Sequence, residues 1–244
     1  MSSKIIFTRT LLFLAGFWLS QACADSSRSL TAGLSPSAYL LGQFDPSRLP
    51  EYFTEIPSPL ADRKIYLRKE ALTALESMSR AAQKEKLQIK VISGFRGFDD
   101  QKKIWENKFN NTYLKTHPDP KERVVAILSY SSMPGTSRHH WGTDVDLNSL
   151  ENSWFEKGEG KRLYDWLQKN GPRFGFVQVY TAGRSVGYRE EKWHYTYLPL
   201  SKNLLAAYKD AVSLPRLTGF AGEGFAKELS IIPNYVFGIN EAVK

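Results

Sequence analysis

Residues 137–148 read SRHHWGTDVDLN. The first half is a loop, with Pro134 and Gly135 just upstream and Gly142 inside it. The second half, Thr-Asp-Val-Asp-Leu, alternates as a half-buried strand does. A period of two places Asp144 and Asp146 on one face and Val145 and Leu147 on the other. The chain of 244 residues has 4 histidines, and His139 and His140 are two of them. Ionisable residues where a loop enters a strand admit three readings: a metal site, an acid–base pair, or a polar turn ahead of the strand.

Working outward, the patterning supplies the neighbouring elements. Residues 66–87, YLRKEALTALESMSRAAQKEKL, carry Leu67, Ala71, Leu72, Leu75, Met78 and Ala82 at helical spacing, which predicts an amphipathic helix packed on a sheet. QIKVISG (88–94) alternates and stops at Gly94, as a strand would. FDDQKKIWENKF (98–109) begins with acids and ends with lysine, as the helix dipole favours. DPKERVVAILSY (119–130) predicts another helix with Pro120 in its first turn. KRLYDWLQKNG (161–171) is a helix closed by Gly171. FGFVQVY (174–180) and WHYTYLPL (193–200) read as strands joined by a hairpin-like loop, and SKNLLAAYKDAV (201–212) as a helix ending before Pro215. Strands and helices mix without a repeated βαβ rhythm. The expected fold class is therefore α+β, a small, mostly antiparallel sheet flanked by helices.

The ends read differently. Lys4 and Arg9 precede an apolar run, LLFLAGFWL (11–19), and Ala22-Cys23-Ala24 fits a small-x-small cleavage site. Together these make residues 1–24 a secretory signal, too short for a comfortable membrane span. Cleavage after Ala24 would remove Cys23, the chain's 1 cysteine, and with it any thiol chemistry. The rival is a lipoprotein lipidated at Cys23, which would put the protein on a membrane. Against it, Ser20 stands where lipoprotein signals prefer an aliphatic residue. Residues 25–60 are rich in Ser, Pro and Gly and read as a loop-rich lead-in to a domain over 61–211. Residues 212–244 form an extension with no firm assignment.

Hydrophobic residues at 42% and charged residues at 24% are ordinary for a globular chain. The net charge of +8 is spread along the chain rather than gathered in a tract with aromatics, which argues against nucleic acid. An exported basic protein instead suits the anionic polymers of a cell envelope.

Far downstream, EEKWHYTY supplies His194 and, three residues before it, Glu191. Two histidines and one carboxylate suit zinc with a fourth position open to water, and a nearby carboxylate that is not a ligand suits proton transfer. From residue types alone, the same residues are also ordinary polar or core positions. The order of three blocks narrows the choice. Ser137-Arg-His-His-Trp-Gly-Thr-Asp-Val-Asp146 resembles the Ser-x-His-x-x-Gly-x-x-x-Asp signature of the VanY-like D-alanyl-D-alanine carboxypeptidase family of zinc metallopeptidases. Glu191-Lys-Trp-His194 resembles its Glu-x-x-His signature, and SGFRGFDDQ (93–101) its Ser-Gly-aromatic-Arg block followed by Gln.

The resemblance implies a zinc site on the sheet, in a fold shared with hedgehog-like domains. It implies one zinc per chain held by His139, Asp146 and His194, with Glu191 as general base. Arg96 would face the substrate, stabilising either the oxyanion or a substrate carboxylate, with Ser137 and Gln101 as weaker substrate-binding or supporting residues. The implied activity is an exported carboxypeptidase that trims peptidoglycan stem peptides. A D-Ala-D-Ala dipeptidase, an L,D-carboxypeptidase and an endopeptidase share the same metal blocks. A catalytically silent zinc-fold binding module is the non-enzyme alternative, which retention of Glu191 disfavours. Asp144 departs from the pattern, since the family usually has Ala there. It could hydrogen-bond a ligand, add charge or alter substrate fit.

Simpler readings cover the rest. His140 is a packing or surface neighbour of His139, and His117 is a loop residue. Trp141 and Trp193 are core or pocket wall, and Asp99 and Asp100 mark a helix start. Arg184 and Arg189 belong to a solvated loop. Glu191 and His194 cannot face one ion from an unbroken strand, because residues three apart point to opposite sides. Glu191 is therefore expected in a turn before the strand.

Overall fold

The computed structural model describes residues 29–244. The expected secretory signal, Cys23 and the expected cleavage after Ala24 lie outside the described residues.

Ser35 opens α1 (Pro36–Leu40), its hydroxyl accepting from the Ala38 N–H and Pro36 taking the first turn. A 3-10 turn (Pro46–Arg48) and β1 (Phe53–Glu55) follow, so the lead-in expected to be loop-rich carries a helix and a strand. β1 pairs antiparallel with β2 (Tyr66–Arg68). This pairing corrects the expected helix over 66–87, for α2 spans Lys69–Lys84. The Arg68 N–H donates to the Gly142 carbonyl and the Lys69 N–H to that of Tyr52, so the backbone here is committed to the ladder and its turn. From Ala71 onward the expected apolar face is the buried one.

The main sheet has four antiparallel strands in the order β3 (Val91–Ser93), β4 (Asp144–Leu147), β6 (His194–Tyr197), β5 (Phe176–Gln178). Between them run α3 (Phe98–Asn107), α4 (Pro120–Ile127) and α5 (Gly158–Asn170). Asp119 caps α4 by accepting from the N–H groups of Lys121 and Glu122. α6 (Leu198–Ala211) begins where the sequence suggested continued strand, because Pro199 cannot donate to a ladder but fits a helix's first turn.

The pleat sorts the strand residues. Val145 and Leu147 of β4 and Tyr195 of β6 pack with Val91 and Phe176 against Leu72, Leu75 and Met78 of α2 and Leu163, Trp166 and Leu167 of α5. Asp144 and Asp146 point to the opposite face, as do His194 and Thr196. A second core lies beyond that face, around Tyr39, Trp105, Ile127, Trp141, Leu204 and Tyr208.

The tail belongs to this second core. Leu217, Phe220, Ile231, Val236, Ile239 and Val243 are all buried in it. Trp105 Nε1 donates to the Ala221 carbonyl at 2.7 Å, and the Asn240 N–H donates to Val179 at 2.9 Å. A Leu- or Ile-to-Ala change in such a site costs about 2–5 kcal/mol, the spread reflecting how far the cavity collapses. Ile231→Ala is therefore expected to lower the unfolding free energy by about that amount in a urea titration. An unchanged midpoint would show that the tail stands outside the cooperative unit.

Candidate active site

Cross-strand pairing brings the downstream histidine to the upstream acids. β4 and β6 pair Asp146 with His194 and Asp144 with Thr196. His139 arrives on a 3-10 turn, Arg138–Trp141, which Gly142 closes with φ of 69°. A Cβ on Gly142 would stand 2.4 Å from Phe53 Cε1, so both the left-handed backbone and the space require glycine.

His139, Asp146 and His194 each present one ligand atom, and these atoms lie within 4.8 Å of one another. His139 Nε2 is 3.3 Å from Asp146 Oδ2, and His194 Nδ1 is 3.2 Å from Asp146 Oδ1. The rings stand edge to face with centroids 4.8 Å apart. His139 Nδ1 lies 2.7 Å from the Gly94 carbonyl, which can only accept. The proton is therefore on Nδ1, and the Nε2 lone pair faces Asp146. Asp146 Oδ1 is buried and makes no hydrogen bond. Two imidazole nitrogens and a carboxylate oxygen converging around an unsatisfied oxygen are a donor set that fits zinc.

Glu191 sits in a turn ahead of β6, as expected, with the His194 N–H donating to its carbonyl at 3.3 Å. Gln178 Nε2 also donates to that carbonyl, and the Glu191 N–H donates to Tyr180, so the backbone is fixed on both sides. Glu191 Oε2 lies 3.4 Å from His194 Nδ1. Burial pushes the Glu191 carboxyl above its usual range, and His194 only partly offsets this.

These groups line an open cavity of about 550 Å³, together with Arg96, Gln101 and Ser137. Arg96 follows β3. Its backbone N–H donates to the His139 carbonyl, while its buried side-chain Nε has no partner. Burial lowers its pKa, against the pull of Asp146 and Glu191. Gln101 Nε2 donates to the Ser132 carbonyl at 2.6 Å and its Oε1 is unpartnered. The structure thus brings all seven expected site residues to one cavity.

His140 points away from it. Its Nδ1 lies 2.6 Å from the Arg96 carbonyl and its Nε2 accepts from the Gly135 N–H, so it fastens the histidine turn to the arginine loop. Burial pulls its pKa down to about 3, consistent with a neutral ring. Trp141 is core and Trp193 is cavity wall. Asp99 and Asp100 occupy the first turn of α3. His117 lines a second depression, away from the acids and histidines. Arg184 is not simply solvated: its guanidinium donates to the carbonyls of Thr181, Val186, Tyr188 and Gly238, tying the β5–β6 loop to the tail. Arg189 lies over the Tyr130 ring.

Two features escaped the sequence. Lys108 lines the cavity and donates to Ser131 Oγ at 2.6 Å, although its helical context reads as an ordinary dipole-facing lysine. Arg138 and Thr196 join Asp144 behind His194, a cluster whose only sequence signal was Asp144 itself.

Comparison with known proteins gives a consistent result. A family model described as VanY, D-alanyl-D-alanine carboxypeptidase, matches residues 64–200. YodJ, a candidate carboxypeptidase of Bacillus subtilis (strain 168), is 33% identical over 168 residues, covering 65% of this chain and 56% of YodJ. A D-alanyl-D-alanine carboxypeptidase of Enterococcus faecalis (strain ATCC 700802 / V583) is 29% identical over 128 residues, covering 51% and 45%. The chain spans about half the length of these curated relatives. Among solved structures, the LdcB LD-carboxypeptidase superposes with a TM-score of 0.51 at 25% identity, over 70% of this chain and 81% of that one.

Proposed function

Because the chain belongs to the VanY D-alanyl-D-alanine carboxypeptidase family, we propose that it is a zinc-dependent carboxypeptidase that removes the terminal D-alanine from peptidoglycan stem peptides. The observation that carries this reading is the convergence of His139, Asp146 and His194 beside Glu191 in one cavity.

His139 Nε2, an Asp146 oxygen and His194 Nδ1 would hold one zinc, which when bound polarises the scissile carbonyl and acidifies a water. Glu191 takes the proton of the attacking water and passes it to the leaving nitrogen. The new bond joins the water oxygen to the penultimate carbonyl carbon, and the bond that breaks is the C–N bond to the last residue. Arg96 holds the terminal carboxylate of the substrate. Ser137 and Gln101 hydrogen-bond the peptide or brace the Arg96 loop.

The stem peptides of the assembled wall lie outside the cytoplasmic membrane, so this reading calls for export, with residues 1–24 as the proposed leader, which the mass of the mature N-terminus would check. The structural likeness to an L,D-carboxypeptidase supports one rival, cleavage of tetrapeptide stems. Defined muropeptides, incubated with protein loaded with one equivalent of zinc and weighed afterward, distinguish the two. A pentapeptide should lose a single D-alanine. Loss of mass only from tetrapeptides would favour the rival, and no loss from either would remove both.

A further inference from the structure

Asp144 is fully buried, and four side chains surround its carboxylate. Oδ2 accepts from Arg138 Nε at 2.8 Å and lies 3.0 Å from His194 Nε2. Oδ1 accepts from Thr143 Oγ1 at 2.8 Å and Thr196 Oγ1 at 2.6 Å. Arg138 in turn donates from Nη2 to Thr196 at 2.9 Å, and its guanidinium lies over the Trp141 ring. None of Asp144, Arg138, Thr143 and Thr196 lines the catalytic cavity. The cluster therefore does not line the space a substrate would occupy there, and its side-chain hydrogen bond into the site runs to His194.

His194 has two nitrogens with separate surroundings. Nδ1 faces Asp146 and Glu191, and Nε2 faces Asp144. A carboxylate can only accept, so the bond to Asp144 places a proton on Nε2. In the neutral ring this leaves the Nδ1 lone pair free on the side of the other two ligand atoms. Tyr180 packs against the same ring with centroids 4.8 Å apart, which limits its position but cannot choose between its nitrogens. Only a polar partner can do that, and at Nε2 the polar partner is Asp144. Oriented partners of this kind typically carry a 10–100-fold effect on metal affinity or activity.

We propose that Asp144, itself held by Arg138 and the two threonines, is a positioning residue that commits His194 to bind metal through Nδ1. The inference rests on the reading of His194 as a metal ligand. A competing account is that Asp144 merely neutralises a buried arginine, since an unpaired buried charge is strongly destabilising. The two accounts part when the arginine is removed as well.

The test is zinc affinity by chelator competition, at mildly alkaline pH where protons compete least. It compares wild type, Asp144→Asn, Asp144→Ala, the double variant Arg138→Met/Asp144→Ala, and His194→Ala. Asn can keep an oxygen toward His194 and turn its amide to the threonine hydroxyls, which can accept, so it should weaken binding least. The Ala variant and the double variant should each bind zinc about 10–100-fold more weakly than wild type. Their cobalt-substituted forms should show altered visible spectra, a change that loss of stability alone would not produce. Wild-type zinc affinity in the double variant would overturn the proposal and leave charge neutralisation as the role of Asp144. If Asp144→Ala and the double variant do not fold, the nitrogen-15 shifts of His194 in the zinc-loaded wild type decide: metal on Nδ1 with a proton on Nε2 supports the proposal, and metal on Nε2 overturns it. Undiminished affinity in His194→Ala is a different failure, because it would remove His194 from the metal site altogether.

Discussion

Glu191→Gln is expected to lower turnover of a pentapeptide stem by about a hundredfold or more while the protein retains its zinc, because a positioned general base is typically worth that much. The carboxyl is not needed to complete the three-atom ligand set, yet it lies 3.4 Å from His194 Nδ1. Its backbone is anchored at both the N–H and the carbonyl, so Gln should occupy the same place. The same substitution makes a prediction about stability. Burial raises the Glu191 pKa in the folded protein, so folding prefers the neutral carboxyl. That preference costs nothing below the unfolded-state pKa and grows as pH rises through the folded-state value. In chelator-treated protein, Glu191→Gln should therefore melt higher than wild type at neutral pH, and the gap should close in acid. Loss of turnover with a lower neutral-pH melting point would point to a damaged fold rather than a missing base. Near-normal turnover with zinc retained would remove Glu191 from the chemistry.

The parts of this site that were legible in the sequence are those fixed by local rules. The alternation in TDVDLN placed Asp144 and Asp146 on one face, and the structure keeps them there opposite Thr196 and His194. The three-residue spacing of Glu191 and His194 excluded a common strand, and a turn separates them. What was not legible depends on partners remote in the chain. Leu67 fits the apolar period of α2, so periodicity alone extends the helix past its true start at Lys69. Only pairing with Phe53–Glu55 shows that residues 66–68 are strand. The tail's buried residues, from Leu217 to Val243, follow no helical or strand period because they sit on short turns, each reaching the core separately. The duty of Asp144 was open for a related reason. Its sequence neighbours say nothing about Arg138 folding back beneath it or Thr196 arriving from β6.

If the proposed carboxypeptidase reading holds, Arg96→Ala should erase a preference for a free chain end. A buried polar atom is normally paired, and Arg96 Nε, on a half-buried side chain, is not. Desolvation already opposes its charge, with Asp146 and Glu191 the anions that favour it. Those two carboxylates are engaged with the histidines, so the guanidinium is left facing an open cavity. On the proposed function, the terminal carboxylate of a stem peptide is the anion that would fit, since the planar fork of arginine takes a carboxylate through two charge-assisted bonds. Lys108, which lines the same cavity, adds a second cation that favours an acidic ligand over a neutral one. Truncating one partner of a buried, hydrogen-bonded charge pair costs about 2–5 kcal/mol, which is on the order of thirty-fold or more in kcat/KM. On this account the wild type should cleave the free acid far faster than the C-terminal amide, and Arg96→Ala should depress the free-acid rate until the two converge. Arg96→Lys should recover only part of the difference, because a point charge does not reproduce the fork. The alternative duty for Arg96 is the oxyanion, which forms on either substrate. If that is its duty, Arg96→Ala will slow the acid and the amide by the same factor, and Lys108 becomes the next residue to test for the preference.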